Sequence, residues 1–523
     1  MNGYGLLAVL VLGVIVLTPA AGPLRVPQPI LLTVLGLLLA ALPFTPELSF
    51  DPGLILPVVL PPLLFAATQR TTVTEFRRHA GAVLYLAVGL TVTTAALVAV
   101  VGHLAGLSWS VAWVLGAVVS PPDPVAATAV ARRLRLPERL VTVLEGEGMF
   151  NDATALVLYK VALVAVVTGD VTLAGSVLEL ALGVVVGVAA GLAGGVVARL
   201  LLGTIRDGYA ETTVTVLVPY LAYVGAEHLH GSGVLAVLTV GLYLRSYGHD
   251  ATTSQGWLLG RAVWSYADFL VTSLVFALLG YELVKVVART DIPAGTLGLM
   301  VAVVATLVAF RAVWVGVGGG VVRHRARARD LPMPSGWRES AVVAWAGMRG
   351  VVTVAAVLAL PMSVDDGSAF PDREQVLVVA LACVLVTLLV QGLSLAPLTS
   401  WLGVGSEADE SHDVVRLRRE AAQAALDELH TCAPEDLPVE VRRAAVLQYK
   451  GYLAAQEAME DARVLDGDDQ QDSQSQLEDL LRHATDVERG VVLGSRRRGD
   501  VSAAVADEVL RDVEGRAVRD FGA

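Results

Sequence analysis

Runs of 16 to 30 apolar residues recur along the first 404 positions of this chain, separated by short segments of charge, proline and glycine. A bilayer core of about 30 Å takes roughly 20 residues of helix to cross, and backbone inside it must satisfy its own hydrogen bonds. Runs of this length, repeated this often, restrict the chain to a bundle of membrane helices. Only 17% of the residues are charged, against about a quarter in a soluble protein. A soluble globular enzyme is excluded.

Thirteen candidate spans follow: 4–22, 28–44, 53–68, 80–104, 109–131, 138–168, 171–202, 210–228, 231–246, 260–288, 294–323, 337–363 and 374–403. Alternate connecting segments, starting with the first, hold 17 basic residues, and the others hold 3. One miscounted span would scramble that split. Lys and Arg favour cytoplasmic loops, so the N-terminus is expected outside and the C-terminus in the cytoplasm. Residues 1–404 carry equal numbers of acidic and basic groups, whereas 405–523 carry 27 acidic and 15 basic ones. The chain therefore reads as a transmembrane domain, 1–404, followed by an acidic helical cytoplasmic tail, 405–523. With no basic patch beside that tail, nucleic-acid binding is not expected. Cys383 and Cys432 offer neither a disulfide framework nor metal-ligand spacing,.

Several ionisable residues lie within the spans: Asp123, Glu145, Glu147, Asp152, Lys160, Asp268, Arg311 and Arg349. A lipid-facing charge at a helix centre costs about 2.5 kcal/mol or more, so each must face protein, a partner or water. Counted from the nearest loop arginine, Asp123, Asp152, Arg311 and Arg349 share one depth near the midplane,. That common level favours a site over scattered structural pairs. The fifth span contains SPPDP, and helix cannot run through Pro121, Pro122 and Pro124,. The twelfth contains GMRG, with Gly347 and Gly350 flanking Arg349. Broken spans seven apart fit two inverted six-helix repeats, with freed carbonyls and half-helix ends facing an ion site at the midplane.

In the sixth span, LEGEGMFNDATALVLYK, Glu147 and Asn151 share one face, and Glu145, Gly148 and Asp152 another,. Asp152 is thus expected to meet the break near Asp123, with Glu147 turned to a different neighbour. Two carboxylates in a low-dielectric cavity hold two negative charges poorly, so the site takes up either a proton or a metal cation. That competition is antiport chemistry. Lys160 is expected to snorkel, and Asp268 to line a cytoplasmic funnel or cap an interface.

SPPDPVAATAV (120–130), EGEGMFNDATALVLY (145–159), GSGVLAVLTVGL (231–242), LVTSLVFALLGYEL (270–283) and GMRGVVTVAA (347–356) together resemble the sodium/proton exchangers, in the NhaP-like branch of the monovalent cation:proton antiporter superfamily. The resemblance implies no enzyme activity and no cofactor beyond the transported Na+ and H+. It implies a homodimer in the cell membrane that exchanges Na+ and Li+ for protons by alternating access, serving sodium transport and pH homeostasis. Asp152 falls on the family's ion-binding aspartate, Asn151 on the asparagine of the electroneutral, one-for-one branch, and Asp123 on a second carboxylate. Na+ would sit on Asp152 and Asp123. Glu147 falls on a glutamate paired with an arginine, here Arg311, and Arg349 on the arginine of the broken twelfth helix. Many relatives have Ser or Thr at the positions of Pro122 and Gly148, and some an acid at Ala66, so coordination here leans on Asp152 and Asp123. Potassium/proton exchange is the alternative, and an organic-anion carrier a weaker one, since Asp123 and Asp152 would repel such a substrate.

Overall fold

The computed structural model describes residues 3–24, 26–42, 51–69, 84–123, 127–128, 131, 136, 138–168, 173–248, 251–289, 294–326 and 336–404, with short pieces of the tail. Among them the structure is helical, with no strand and one isolated bridge, Ser363 to Ala369. We label the helices in chain order. They are α1 Gly3–Leu24, α2 Gln28–Ala40, α3 Pro52–Thr68, α4 Leu90–Leu104 and α5 Trp109–Val119. A π-helical turn, Leu84–Gly89, leads into α4. Then come α6 Glu138–Thr168, α7 Leu173–Thr204, α8 Gly208–His228, α9 Gly233–Tyr247 and α10 Ser254–Arg289. The last are α11 Ala294–Ala326, α12 Trp337–Trp345, α13 Val351–Leu358 and α14 Arg373–Leu402.

Local chemistry sets the ends. Ser108, Asp207 and Ser232 precede α5, α8 and α9 and accept hydrogen bonds from Val111, Ala210 and Leu235 N–H, satisfying donors that a first turn leaves over,. Proline stands in the first turn of α2 and of α3, where no N–H is needed,. Gly403 ends α14 in the left-handed region, φ 63°,. Helix α10 begins six residues ahead of its apolar run, at Ser254, because helix continues past the stretch that lipid requires; at 1.5 Å per residue it is about 54 Å long.

Among the described residues, six helical segments are long and apolar enough to cross a membrane: Ala87–Leu104, Phe150–Thr168, Ala181–Thr204, Gln255–Arg289, Gly295–Val317 and Arg373–Leu402. Their outward faces are apolar, as Val185, Leu200, Val301 and Val317 illustrate. An apolar exterior of this extent fits a lipid solvent. Inside, helices meet through small residues. A Cβ on Gly36 would lie 2.0 Å from Ala277 O, and one on Gly280 would lie 2.0 Å from Thr33 O. Helices α2 and α10 therefore cross backbone to backbone, each glycine opposite a carbonyl of the other helix.

The chain divides into two compact units, Met1–Ser406 and Glu407–Ala523. The first contains every helix labelled above. In the second, Ala422, Leu426 and Leu453 form a small buried cluster with Val446 against it. The tail helices expected at 411–432, 438–461, 475–489 and 500–520 lie mostly outside the described residues, as do Arg70, Arg77, Arg78, Arg132, Arg133, Arg135, Arg327 and Arg329 of the basic loops.

Candidate functional site

Helix α5 stops at Val119, Ser120 to Asp123 run without helix, and Ala127 and Thr128 are helical. Pro121 and Pro122 have no N–H to donate, so α5 cannot continue through them. Helix α12 stops at Trp345, and Ala346 to Gly350 run without helix before α13. The two interruptions touch. Asp123 N–H donates to Met348 O at 2.6 Å, Arg349 Nε donates to Val119 O at 2.7 Å, and Thr353 Oγ1 donates to Val118 O at 2.9 Å. A Cβ at Gly350 would lie 1.6 Å from Asp123 Oδ2, so only glycine lets the Asp123 carboxylate lie against this turn.

Charge is matched to the half-helix ends. Arg349 is buried and donates to Val119 O, at the C-terminal end of α5, and to Gly347 O, just beyond the end of α12. Both are the partially negative ends of helix dipoles, where a cation is stabilising. Asp123 lies at the opposite kind of end, against Gly350 at the start of α13, where an anion is stabilising,. The Arg349 backbone N–H donates to Thr387 Oγ1 of α14 at 3.1 Å, which fixes the second break to a continuous helix.

Helix α6 passes these breaks. Asn151 is fully buried and its Nδ2 donates to Pro122 O at 2.9 Å, while its Oδ1 accepts no hydrogen bond among the described residues. One turn earlier, Glu147 receives two hydrogen bonds from Arg311 of α11, at 2.5 and 2.9 Å, and Arg311 also donates to Val343 O of α12. Both members of this pair are 3% exposed. Gly148, next to Glu147 in sequence, is buried. Asp152 differs: its side chain is only partly buried, no hydrogen bond to its carboxylate is found among the described residues, and it lies within electrostatic range of Asp123.

Several of the freed carbonyls have partners within the protein. Those of Val118, Val119, Pro122, Gly347 and Met348 each already accept a hydrogen bond from the protein. These five carbonyls are satisfied internally, as a low-dielectric interior demands,. Asn151 and Glu147 share a face of α6, as their spacing predicts, but meet different neighbours. Asn151 docks on the fifth-span break beside Asp152, while Glu147, one turn away on the same face, turns to α11.

Residues 8–401 match the family described as "Sodium/hydrogen exchanger, transmembrane". The chain belongs to the sodium/hydrogen exchanger family. An uncharacterised Na+/H+ exchanger of Mycobacterium tuberculosis is 34% identical over 445 residues, covering 83% of this chain and 81% of that protein. The Na+/H+ antiporter ApNhaP of Aphanothece halophytica is 29% identical over 418 residues, covering 78% of this chain and 76% of its own. A sodium, potassium, lithium and rubidium/H+ antiporter of Bacillus subtilis is 28% identical over 388 residues, covering 72% of this chain and 58% of its own. In fold, the exchanger resembles the sodium proton antiporter MjNhaP1 of Methanocaldococcus jannaschii, at 19% identity and a TM-score of 0.59, covering 76% of this chain and 98% of that one. The chain is thus an NhaP-like exchanger in family and fold.

The exchanger brings Asp123, Asn151, Asp152, Pro122 and Arg349 together at the crossing, with Glu147 and Arg311 one turn along α6. Pro124 and the side chain of Glu145 lie outside the described residues. Lys160, expected to snorkel, forms an ion pair with Glu227 at the end of α8, which also accepts from Gly233 N–H at 2.9 Å. Asp268 lines a cavity distinct from the crossing. Sequence reasoning missed Thr387 and Glu227; polar atoms within apolar spans were the available signal for both.

Proposed function

We propose that the chain is a secondary active antiporter exchanging Na+, and also Li+, for protons across the cell membrane, with cation and proton competing for Asp152. Asp152 carries this reading. Asn151, Arg349, Glu147 and Arg311 are each tied to a protein group, whereas the Asp152 carboxylate is only partly buried and accepts no hydrogen bond among the described residues. Beside Asp123 it forms a pair that a single monovalent cation or proton neutralises in part,. Pro122 and Gly148 shape the wall without supplying a side-chain oxygen. Asn151 braces the break through Pro122 O and keeps Oδ1 for a cation or its water. One acid of one charge at that position suits electroneutral, one-for-one exchange.

The wider architecture in this proposal is thirteen spans in two inverted repeats, N-terminus outside and tail inside, in a homodimer whose core moves by alternating access. The breaks braced by Arg349 and Thr387 would move as one unit, because hydrogen bonds between α5, α12, α13 and α14 tie them together. An organic anion fits poorly: Arg311 is occupied by Glu147 and Val343 O, and Arg349 by Val119 and Gly347 O. Potassium/proton exchange is the reading to test against sodium, since one relative's name includes potassium.

Proteoliposomes loaded with a pH-sensitive dye decide it, with each chloride salt added in turn. Proton movement with Na+ or Li+ supports the proposal, a response to K+ alone favours the alternative, and no response to any cation refutes antiport. Electroneutral exchange also predicts that a valinomycin-set voltage leaves the rate unchanged, because each extra charge moved would feel about 2.3 kcal/mol per 100 mV.

A further inference from the structure

Lys160 stands eight residues beyond Asp152 on α6, about 12 Å further along the helix axis,. Its ammonium pairs with Glu227, in the last turn of α8. The segments that follow these two helices, 169–172 and 229–232, contain no Lys or Arg, the pattern of an outer face,. Helix α6 packs mainly on α4, α5 and the π-helical turn, whereas α8 packs mainly on α7, α9 and α10. The pair therefore reaches between two groups of helices, on the outer side of Asp152.

Its two ends are held differently. Glu227 Oε1 also accepts from the N–H of Gly233, the first residue of α9, where the helix dipole favours an anion,. A Cβ on Gly233 would lie 2.8 Å from Glu227 Oε1 and from Tyr223 Cδ2, so glycine lets the carboxylate rest against this turn. Glu227 is thus anchored by α8 and α9 independently of Lys160. Lys160 makes no other hydrogen bond among the described residues, and its ammonium rides on a flexible four-carbon stem that can turn toward the membrane surface,. Exposure sets how readily such a pair parts. Separating Glu147 from Arg311, both 3% exposed, would strand a charge in the interior,. The Lys160 and Glu227 side chains are 37% and 32% exposed, and pairs of that kind hold weakly,.

We propose that the Lys160–Glu227 pair is an outer latch: it ties α6 to the α8–α9 turn while Asp152 is closed to the outside, and it parts when Asp152 opens to that side. The latch rests on the alternating access and the orientation proposed above. Lys160 is the part that lets go, since Glu227 keeps its bond to Gly233 N–H. A partly exposed pair biases the equilibrium about two- to fivefold toward the closed side. That is enough to favour one state and too little to lock it, as a contact broken in every transport cycle requires.

The test reads access to position 152 and does not depend on transport. Asp152→Cys, combined with Cys432→Ser, is labelled in sealed membrane vesicles by an impermeant thiol reagent applied to one side at a time; Cys383 is buried. Adding Lys160→Gln should raise the outer labelling rate about two- to fivefold without raising the inner one, and Glu227→Gln should do the same. Outer rates that are equal with and without the pair, or a rise on the inner side, overturn the latch. In proteoliposomes, joining Lys160→Cys to Glu227→Cys with a short bis-thiosulfonate linker should stop exchange, and a reductant should restore it. Undiminished exchange by the linked protein also overturns the latch. Expected labelling in a protein that exchanges no cation supports the latch and counts against the antiport reading alone.

Discussion

Replacing Glu147 by alanine leaves a deeply buried charge, Arg311, without its ionic partner. Arg311 is 3% exposed, and it donates twice to Glu147 and twice to Val343 O. After the change only the Val343 carbonyl remains, a neutral acceptor for a full positive charge. Breaking a buried pair by removing one partner costs about 3–5 kcal/mol. With an unfolding entropy of about 2.1 cal/mol/K per residue over some 400 residues, that is a fall of roughly 5 °C in melting temperature. The assay is thermal unfolding in detergent, followed by the monodisperse fraction that survives heating. Adding Arg311→Ala should return part of the loss, because it removes the orphaned charge but leaves Val343 O without its donor and a cavity where the guanidinium lay. The double-mutant cycle should therefore give a clear coupling between the two sites. A Glu147→Ala protein as stable as the wild type refutes the reasoning.

Gly350→Ala places a methyl group 1.6 Å from Asp123 Oδ2, so transport should fall at least tenfold in proteoliposomes; wild-type rates would show that Asp123 does not need this position. Thr387→Val keeps the shape of the side chain and removes the acceptor of the Arg349 N–H, at a cost of about 1–3 kcal/mol; thermal unfolding measures it, and Thr387→Ser should restore the loss. Lys160→Ala breaks a pair whose side chains are 37% and 32% exposed, so stability should fall by less than about 1 kcal/mol and transport should persist.

Apolar runs made the helix ranges legible, because lipid demands length and proline, glycine and charge punctuate it; α6 occupies 138–168 as expected. The fifth break was legible from Pro121 and Pro122, which have no N–H to give. Other contacts were hidden for physical reasons. An i,i+4 face is wide enough to meet two neighbours, so spacing could not show that Glu147 turns to α11 while Asn151 reaches Pro122 O. Thr387 bonds the Cys383 carbonyl of its own helix, as isolated membrane threonines commonly do, and nothing in the pattern marks its second role with Arg349,. Glu227 lies at the end of its span, where a carboxylate reads as solvated until the fold brings Lys160 to it. The apolar stretches also concealed that the carbonyls of Val118, Val119, Pro122, Gly347 and Met348 accept hydrogen bonds within the protein.

The claim that one carboxylate serves proton and cation in turn is tested most directly by the Na+ dependence of exchange as a function of pH, in wild type and Asp152→Asn. Competition at Asp152 predicts that the apparent KM for Na+ rises about tenfold for each pH unit below the site's own titration. Asp152→Asn keeps the shape, loses the titratable charge, and should fold without transporting. A KM for Na+ that is flat across pH, or wild-type exchange by Asp152→Asn, contradicts the account.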